Sequence, residues 1–487
     1  MKGAKVKMKA GIIRRLMGGA AIVPIVSLLV ACGGTATDTP VADTPTTAAA
    51  ATAIATAVTL PADTVAVPTV PTGASTPTGG QTGSAVTIHF WHTQSRANQT
   101  EINSLVKEFN DSHPGVNVVP EFKNNYDDLL KAVQAAGAGG SLPDLTVGYE
   151  NWLPGLVKSD LVVPFDDFVN GPDGYRQAEL EDFFPAFLST NVYPNLSGKM
   201  WSFPFTKSMP MLWYNMDLLK AAGIDKPPAT WDEFVADSKA VSKPDKGIYG
   251  YEFEPGTSEF IAGVYSRGGS ITNADQSQFL FNNPAGQAQL QMLADGVKNH
   301  YFLSTPPNKF QYEIDFANQK CAFIIASSTS VSYIKSYYPK NQPSYDFNWT
   351  GTVIPHGADV RAPVTTLYGG NVILYKTTPE REKAAWSFVK WFTQSDQNAR
   401  WAATSGYLPL TKSAQNNAQL QAAWKKEPRL RASFDNLQYA TASEPKVGSY
   451  QQVRDIIFQA IQAAVSGTKT AGDALSAAQN DSNATMK

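Results

Sequence analysis

Cysteine is nearly absent: the 487-residue chain carries two, Cys32 and Cys321. With Cys32 at the end of an apolar leader, the body has no second thiol to pair with Cys321, so its stability has to come from packing. After residue 32 no stretch reaches 18 uninterrupted apolar residues, so no later segment reads as a membrane span. Positive charge is not in excess either. The formal net charge is −2, and the leader holds six cations and no acid, which leaves the rest of the chain near −8. That balance argues against a nucleic-acid partner.

The signatures of catalysis are missing as well. There is no G-x-S-x-G elbow and no Walker phosphate loop, and Gly137-Ala138-Gly139-Gly140 is followed by Ser141-Leu142, which breaks the dinucleotide fingerprint. Ser332-Tyr333-Ile334-Lys335 matches S-x-x-K, but the S-D-N and K-T-G motifs that accompany it in penicillin-recognising enzymes are lacking. His89 and His92 sit three apart on a predicted strand and therefore on opposite faces, with no further His or Cys nearby, so no metal and no cofactor is expected. Cys321 lies in the apolar run Cys321-Ala322-Phe323-Ile324-Ile325 and reads as a buried, inert thiol.

What is present begins with an export signal. Lys2, Lys5, Lys7, Lys9, Arg14 and Arg15 precede an apolar run from Leu16 to Ala31. The run ends in Leu29-Val30-Ala31-Cys32, which resembles a bacterial lipobox, so 1–31 is expected to be removed and Cys32 to carry lipid. An uncleaved membrane anchor is the alternative, and either places the body outside the cytoplasm. Residues 32–85 are almost wholly Thr, Ala, Pro, Val, Gly and Ser, and from Gly33 on hold three acids and no Lys, Arg, Phe, Trp or Tyr. Such a segment cannot bury enough surface to offset its ordering entropy, and it reads as a disordered tether, open to O-glycosylation.

The body opens with apolar alternation at Val86-Thr87-Ile88-His89-Phe90-Trp91, a strand. Ile102, Leu105, Val106 and Phe109 form a helical face, Pro114-Gly115 stops it, and Val116 to Val119 is a second strand. Tyr126 to Ala136 reads as a helix, Gly137 to Ser141 as a loop and Asp144 to Gly148 as a strand, so strands and helices alternate as in a layered α/β sheet. Helices are expected at Trp231 to Val241, around Gln287 to Lys298 and around Glu380 to Phe392. Val453, Ile456, Ile457, Ala460, Ile461 and Ala464 make an apolar stripe in a final, largely helical region.

From about Val86 to Asn480 the chain resembles the family 1 extracellular solute-binding proteins of ABC importers, most nearly the members that bind glycerol 3-phosphate. The stretches that carry the resemblance are Phe90-Trp91-His92, Asn125-Tyr126-Asp127, Val147-Gly148-Tyr149-Glu150, Pro204-Phe205-Thr206-Lys207-Ser208 and Ala326-Ser327-Ser328, then Gly369-Gly370, Gly406-Tyr407-Leu408-Pro409 and Val453-Arg454. The resemblance implies a two-lobed α/β fold of the type II periplasmic-binding kind, with ligand held in the cleft and chain crossings near Pro204 to Pro210, Ile354 to Gly357 and Ala403 to Gly406. Lobe 1 would comprise 86–207 and 356–402, lobe 2 would comprise 208–355 and 403–480, and 481–487 would be a disordered tail.

By the same resemblance, the ligand contacts fall on Tyr126, Glu150, Ser208, Ser327, Gly370, Tyr407 and Arg454. Arg454 offers a planar fork of donors suited to phosphate oxygens, Ser208 and Ser327 offer hydroxyls, and Gly370 offers a backbone that can approach closely. Glu150 can accept from hydroxyls at the far end of a glycerol, and Tyr126 and Tyr407 can cover the carbon skeleton. Taken singly, each has a plainer reading: a salt bridge for Arg454, with Asp455 as one candidate, loop serines, a turn glycine, a solvated acid and packed tyrosines. The stretch Gly250 to Thr257 lacks the tryptophans of the glycerol-3-phosphate binders and has acids instead, which leaves room for a glycerophosphodiester or a sugar.

Closure is expected to be driven by Glu150 and Arg454 being satisfied together when the lobes meet. The partners implied are the small solute, the permease subunits and, through lipidated Cys32, the membrane; the chain is expected to act as a monomer. Two other functions stay open: an oligosaccharide receptor stacking sugars on Trp91, Trp152, Trp201 and Tyr407, and a secreted hydrolase of phosphoesters or glycans, which would need two carboxylates across a cleft.

Overall fold

The computed structural model describes residues 84–342 and 344–486. The expected signal, the lipidated Cys32 and nearly all of the expected tether lie outside the described residues. Among the described residues, no helix is long and apolar enough to cross a membrane.

Two mixed five-stranded sheets organise the body. In the first, the order is Val116–Phe122, Val86–His92, Leu145–Gly148, Asn371–Leu374 and Phe203–Pro204. The first three strands run parallel, with Phe90 opposite Leu145, and Asn371–Leu374 is antiparallel to both of its neighbours. Parallel pairs need crossovers, which the helices Arg96–Ser112 and Tyr126–Gly139 supply. On the opening strand Ile88, Phe90 and His92 point inward while His89 faces out beside Glu121, so the two histidines occupy opposite faces. Burial pushes the His92 imidazole down to about 4, so it is neutral in the core. Ile102, Leu105, Val106 and Phe109 are buried against this sheet.

In the second sheet the order is Trp349–Val353, Pro210–Asn215, Cys321–Ser327, Tyr249–Phe253 and Phe302–Ser304. Pro210–Asn215 is buried at every position, as a central strand covered on both faces must be. Cys321 is buried and its thiol is pushed well up by that burial, the state of an unreactive core cysteine. Trp231–Val241 begins at Thr230, whose side chain accepts from the Glu233 backbone while Glu233 reaches back to Thr230, a reciprocal cap legible in the sequence. Pro284–Lys298 and Pro379–Phe392 form where helices are expected.

Two boundaries differ from expectation. The helix begun by Tyr126 runs on through Gly139 and stops at Gly140, whose φ of +67° is the left-handed end that glycine tolerates. Within the expected tail the described residues, 481–486, are not disordered: Ala471–Ala484 is helical, Ser482 is buried, and Asn483 takes a hydrogen bond from Phe279 N (2.7 Å) and returns one to Phe279 O. Ala471, Ala474, Leu475 and Ala478 pack with Val453, Ile457, Ala460, Ile461 and Ala464 of the helix Tyr450–Val465, the stripe read from the sequence. Ile456 stands at the edge of that stripe and is only partly buried.

Candidate functional site

The site is assembled where the chain passes between the sheets. From Pro204 in the first sheet to Pro210 in the second it runs directly, and three other segments are tied to it. Leu408 N donates to Lys207 O (2.7 Å), Ser208 and Tyr368 exchange backbone hydrogen bonds, and Ser328 N donates to Met209 O (2.8 Å). This backbone junction brings Ser208, Ser327, Gly370 and Tyr407 together from four distant parts of the sequence. Gly369 makes it possible: its φ is +92°, and a Cβ there would lie 1.8 Å from the Thr206 carbonyl oxygen.

Tyr126 joins through Gly370, since a Cβ on Gly370 would come within 2.8 Å of the Tyr126 hydroxyl. That hydroxyl is buried and has no hydrogen-bond partner. The Tyr126 ring stacks on Tyr149 with centroids 4.2 Å apart, and Tyr407 stacks on Trp401. Burial pushes the phenols of Tyr126, Tyr149 and Tyr407 far up, so all three are neutral hydroxyls. Ser327 Oγ accepts from Thr329 N (3.3 Å) and Thr329 Oγ1 (3.0 Å), which leaves its own hydrogen to donate.

Glu150 opens the short helical turn Glu150–Trp152. Its Oε1 accepts from Lys207 Nζ at 2.8 Å, and the Lys207 side chain is 0% exposed. Burial pushes the Glu150 carboxyl up, but the Lys207 ammonium and approaches from Lys207 and Asn371 outweigh it and hold Glu150 below the ordinary range. Arg454, in the second turn of Tyr450–Val465, donates through Nη1 to Ser258 Oγ (2.9 Å) and to Glu444. Burial works against its charge, while Glu444 more than compensates. Among the described residues, Arg454 Nε and Nη2 have no partner, so one edge of the guanidinium stays open. The charges of Arg454, Glu444 and Glu150 all act on the Tyr149 phenol, which therefore lies near both ion pairs.

Two expectations need correction. The partner of Arg454 is Glu444 and not Asp455, because Glu444 sits on the loop leading into the helix and faces the guanidinium across its first turn. Glu150 and Arg454 do not wait for each other across a gap: each already has a counter-ion, Lys207 and Glu444, so mutual satisfaction of those two charges cannot be what drives closure. The stretch without tryptophans contributes Thr257, whose hydroxyl donates to Arg454 O (2.8 Å), and Ser258 just after it donates to Glu444 Oε1 (2.6 Å). Its acids are engaged elsewhere: Glu252 is buried beside Asp315, and Glu254 accepts from the backbone N–H of Asn308 and Phe310.

Lys207, Glu444, Tyr149 and Asn371 were not singled out by sequence reasoning. Lys207 had a signal: a lone lysine in the apolar stretch Pro204 to Asn215 requires a buried carboxylate. Glu444 had none, since nothing in a surface-like loop marks which arginine it faces. Among the described residues, no group of three or more His, Cys, Asp or Glu side chains converges as a metal site.

Residues 104–431 match the family model described as bacterial extracellular solute-binding protein. The chain is 27% identical over 408 residues to the sn-glycerol-3-phosphate-binding periplasmic protein UgpB of Yersinia enterocolitica, covering 80% of this chain and 90% of that protein. It is 27% identical over 425 residues to the protein of that name in Escherichia coli K12, covering 84% and 94%. Among solved structures, the cyclic alpha-maltosyl-1,6-maltose binding protein of Arthrobacter globiformis superposes with TM-score 0.69 at 24% identity, covering 83% of this chain and 99% of that one. UgpB of Mycobacterium tuberculosis in complex with glycerophosphocholine gives TM-score 0.70 at 20% identity, covering 83% and 98%. The fold is thus the two-lobed type II arrangement of the periplasmic binding proteins, and the chain belongs to the bacterial extracellular solute-binding protein family.

Proposed function

We propose that this protein captures glycerol 3-phosphate, or a glycerophosphodiester built on it, in the crevice bounded by Tyr126, Glu150, Ser208, Ser327, Gly370, Tyr407 and Arg454, and delivers it to the permease of an ABC importer without chemical change. The observation that carries this reading is the Arg454 guanidinium. Glu444 and Ser258 hold Nη1 and fix the plane, while the Nε–Nη2 edge stays free to take two oxygens of one phosphate. Ser208 and Ser327 can donate to the same phosphate, and the tyrosines pack the carbon skeleton. Glu150 stands at the other end, where its charge does not oppose the phosphate. The 27%-identical relatives named for glycerol 3-phosphate support the assignment.

The second reading is a sugar. It is favoured by the compensation of both cleft cations, since a site with Lys207 and Arg454 already paired asks little charge of its ligand. The body is held outside the cytoplasm by lipid on Cys32 and works as a monomer. Calorimetry with glycerol 3-phosphate, glycerophosphocholine and maltose separates the readings. Heat with either phosphate ester is expected; heat with maltose alone would overturn the assignment.

A further inference from the structure

Lys207 is the most deeply buried cation at the site, with a side chain 0% exposed. Its ammonium has lost its water shell and presents three N–H donors, each of which is costly to leave unmet. Among the described residues, the acceptor it has is Glu150 Oε1, at 2.8 Å. Two donors are therefore unspent.

The surroundings are short of partners in the same way. Asn371, 0% exposed, comes close enough to Glu150 to favour its charged form, yet neither its Oδ1 nor its Nδ2 reaches hydrogen-bond geometry. The Tyr126 hydroxyl, also buried, has no partner. The Glu150 side chain is 18% exposed and that of Lys207 is 0% exposed, so of the two the carboxylate is the one a solute can reach. With these neighbours unmatched, the Lys207 contact is what orients the Glu150 carboxylate.

We infer that Lys207, by holding the Glu150 carboxylate charged and in place to read neighbouring hydroxyls on the solute, sets selectivity as a positioning residue. The pair is neutral as a unit, so it gives little hold on a second anionic group: the ammonium that attracts it lies beside the carboxylate that repels it. Hydroxyls suit the carboxylate because they donate: neighbouring hydroxyls give their hydrogens to Glu150, which the Lys207 contact holds in place. The ligand class is therefore a polyol or sugar skeleton with adjacent free hydroxyls at the end remote from any phosphate. This rests on the reading that Glu150 faces the solute.

The test compares glycerol 3-phosphate with propane-1,3-diol monophosphate, which lacks the middle hydroxyl, by calorimetry on wild type, Lys207→Met and Lys207→Arg. Wild type is expected to prefer glycerol 3-phosphate at least tenfold. Lys207→Met is expected to bring that ratio within threefold, and Lys207→Arg to retain part of it. A lysine that only supports the fold would weaken both probes equally, and an unchanged ratio overturns the inference. If Lys207→Met does not fold, Lys207→Gln, an uncharged side chain that can still hydrogen-bond Glu150, is held to the same ratio. If wild type takes maltose alone, the phosphate reading fails, and the Lys207 inference is decided by the same comparison with maltose and its 2-deoxy analogue. No heat with any of these probes overturns both.

Discussion

Replacing Arg454 with lysine separates the two tasks assigned to this residue. Arg454 Nη1 is tied to Glu444 and Ser258, while the Nε–Nη2 edge is open. A lysine keeps a positive charge near Glu444, whose side chain is 20% exposed, so the acid is not stranded and the loss of about 3–5 kcal/mol that attends an orphaned buried charge is avoided. What lysine cannot offer is the planar pair of donors. Losing one to two charge-assisted hydrogen bonds, at about 1.5–3 kcal/mol each, corresponds to a fall in affinity of roughly 10- to 1,000-fold or more. Calorimetry with glycerol 3-phosphate measures the loss, and thermal unfolding without ligand checks that the fold is retained. Wild-type affinity in a folded Arg454→Lys protein would refute the assignment of the open edge to phosphate. A matching loss with maltose would show that the arginine serves the cleft and not the anion.

Three other perturbations follow from particular contacts. Gly370→Ala puts a Cβ 2.8 Å from the buried Tyr126 hydroxyl, so at least a tenfold loss of affinity is expected with the fold kept; unchanged binding would show that this space is not the ligand's. Arg96, with φ +53°, reaches from the first helix to lie over Tyr333 and Tyr337 and donates to Ser336 Oγ (3.0 Å). Those contacts are worth about 1–2 kcal/mol together, so Arg96→Ala is expected to raise the ligand off-rate roughly 5- to 30-fold in stopped-flow measurements, and an unaltered rate would count against a role in holding the closed form. Glu252 is 1% exposed, and burial, then the charge and hydrogen bond of Asp315, push its carboxyl up to about 8. The folded state therefore holds a proton that the unfolded state releases near 4.5, and stability falls as pH rises from that value through about 8. Glu259 and Glu313, each raised to about 7 mainly by burial, act in the same direction. Glu252→Gln is expected to remove a few kcal/mol, roughly, of that decline between pH 5 and 9 in denaturant titrations, and identical slopes in mutant and wild type would contradict the buried-proton assignment.

Much of this architecture was legible because it rests on local signals. The alternation at Val86 to His92, the stripe ending at Ala464 and the Thr230–Glu233 cap each dictate an element from a few adjacent residues. The expected disordered tail failed because Ala471 to Ala484 is built of small residues, whose modest apolar surface suffices only against a neighbouring helix that is invisible until the chain folds. The site divides in the same way. Residue types at Tyr126, Ser208, Ser327, Gly370 and Tyr407 could be placed by resemblance, and the backbone junction shows how four of them meet. The charge network could not be read, because Lys207–Glu150 is 57 residues apart in sequence and Arg454–Glu444 depends on how one loop folds against a helix. Counter-ions are properties of the fold, and here they remove mutual neutralisation of Glu150 and Arg454 as a source of closure energy.

The most direct measurement is a crystal structure with glycerol 3-phosphate bound. The expected result places phosphate oxygens within hydrogen-bond reach of Arg454 Nε and Nη2 and the glycerol hydroxyls at Glu150. A ligand lying with its phosphate toward Glu150, or outside this crevice, would contradict it.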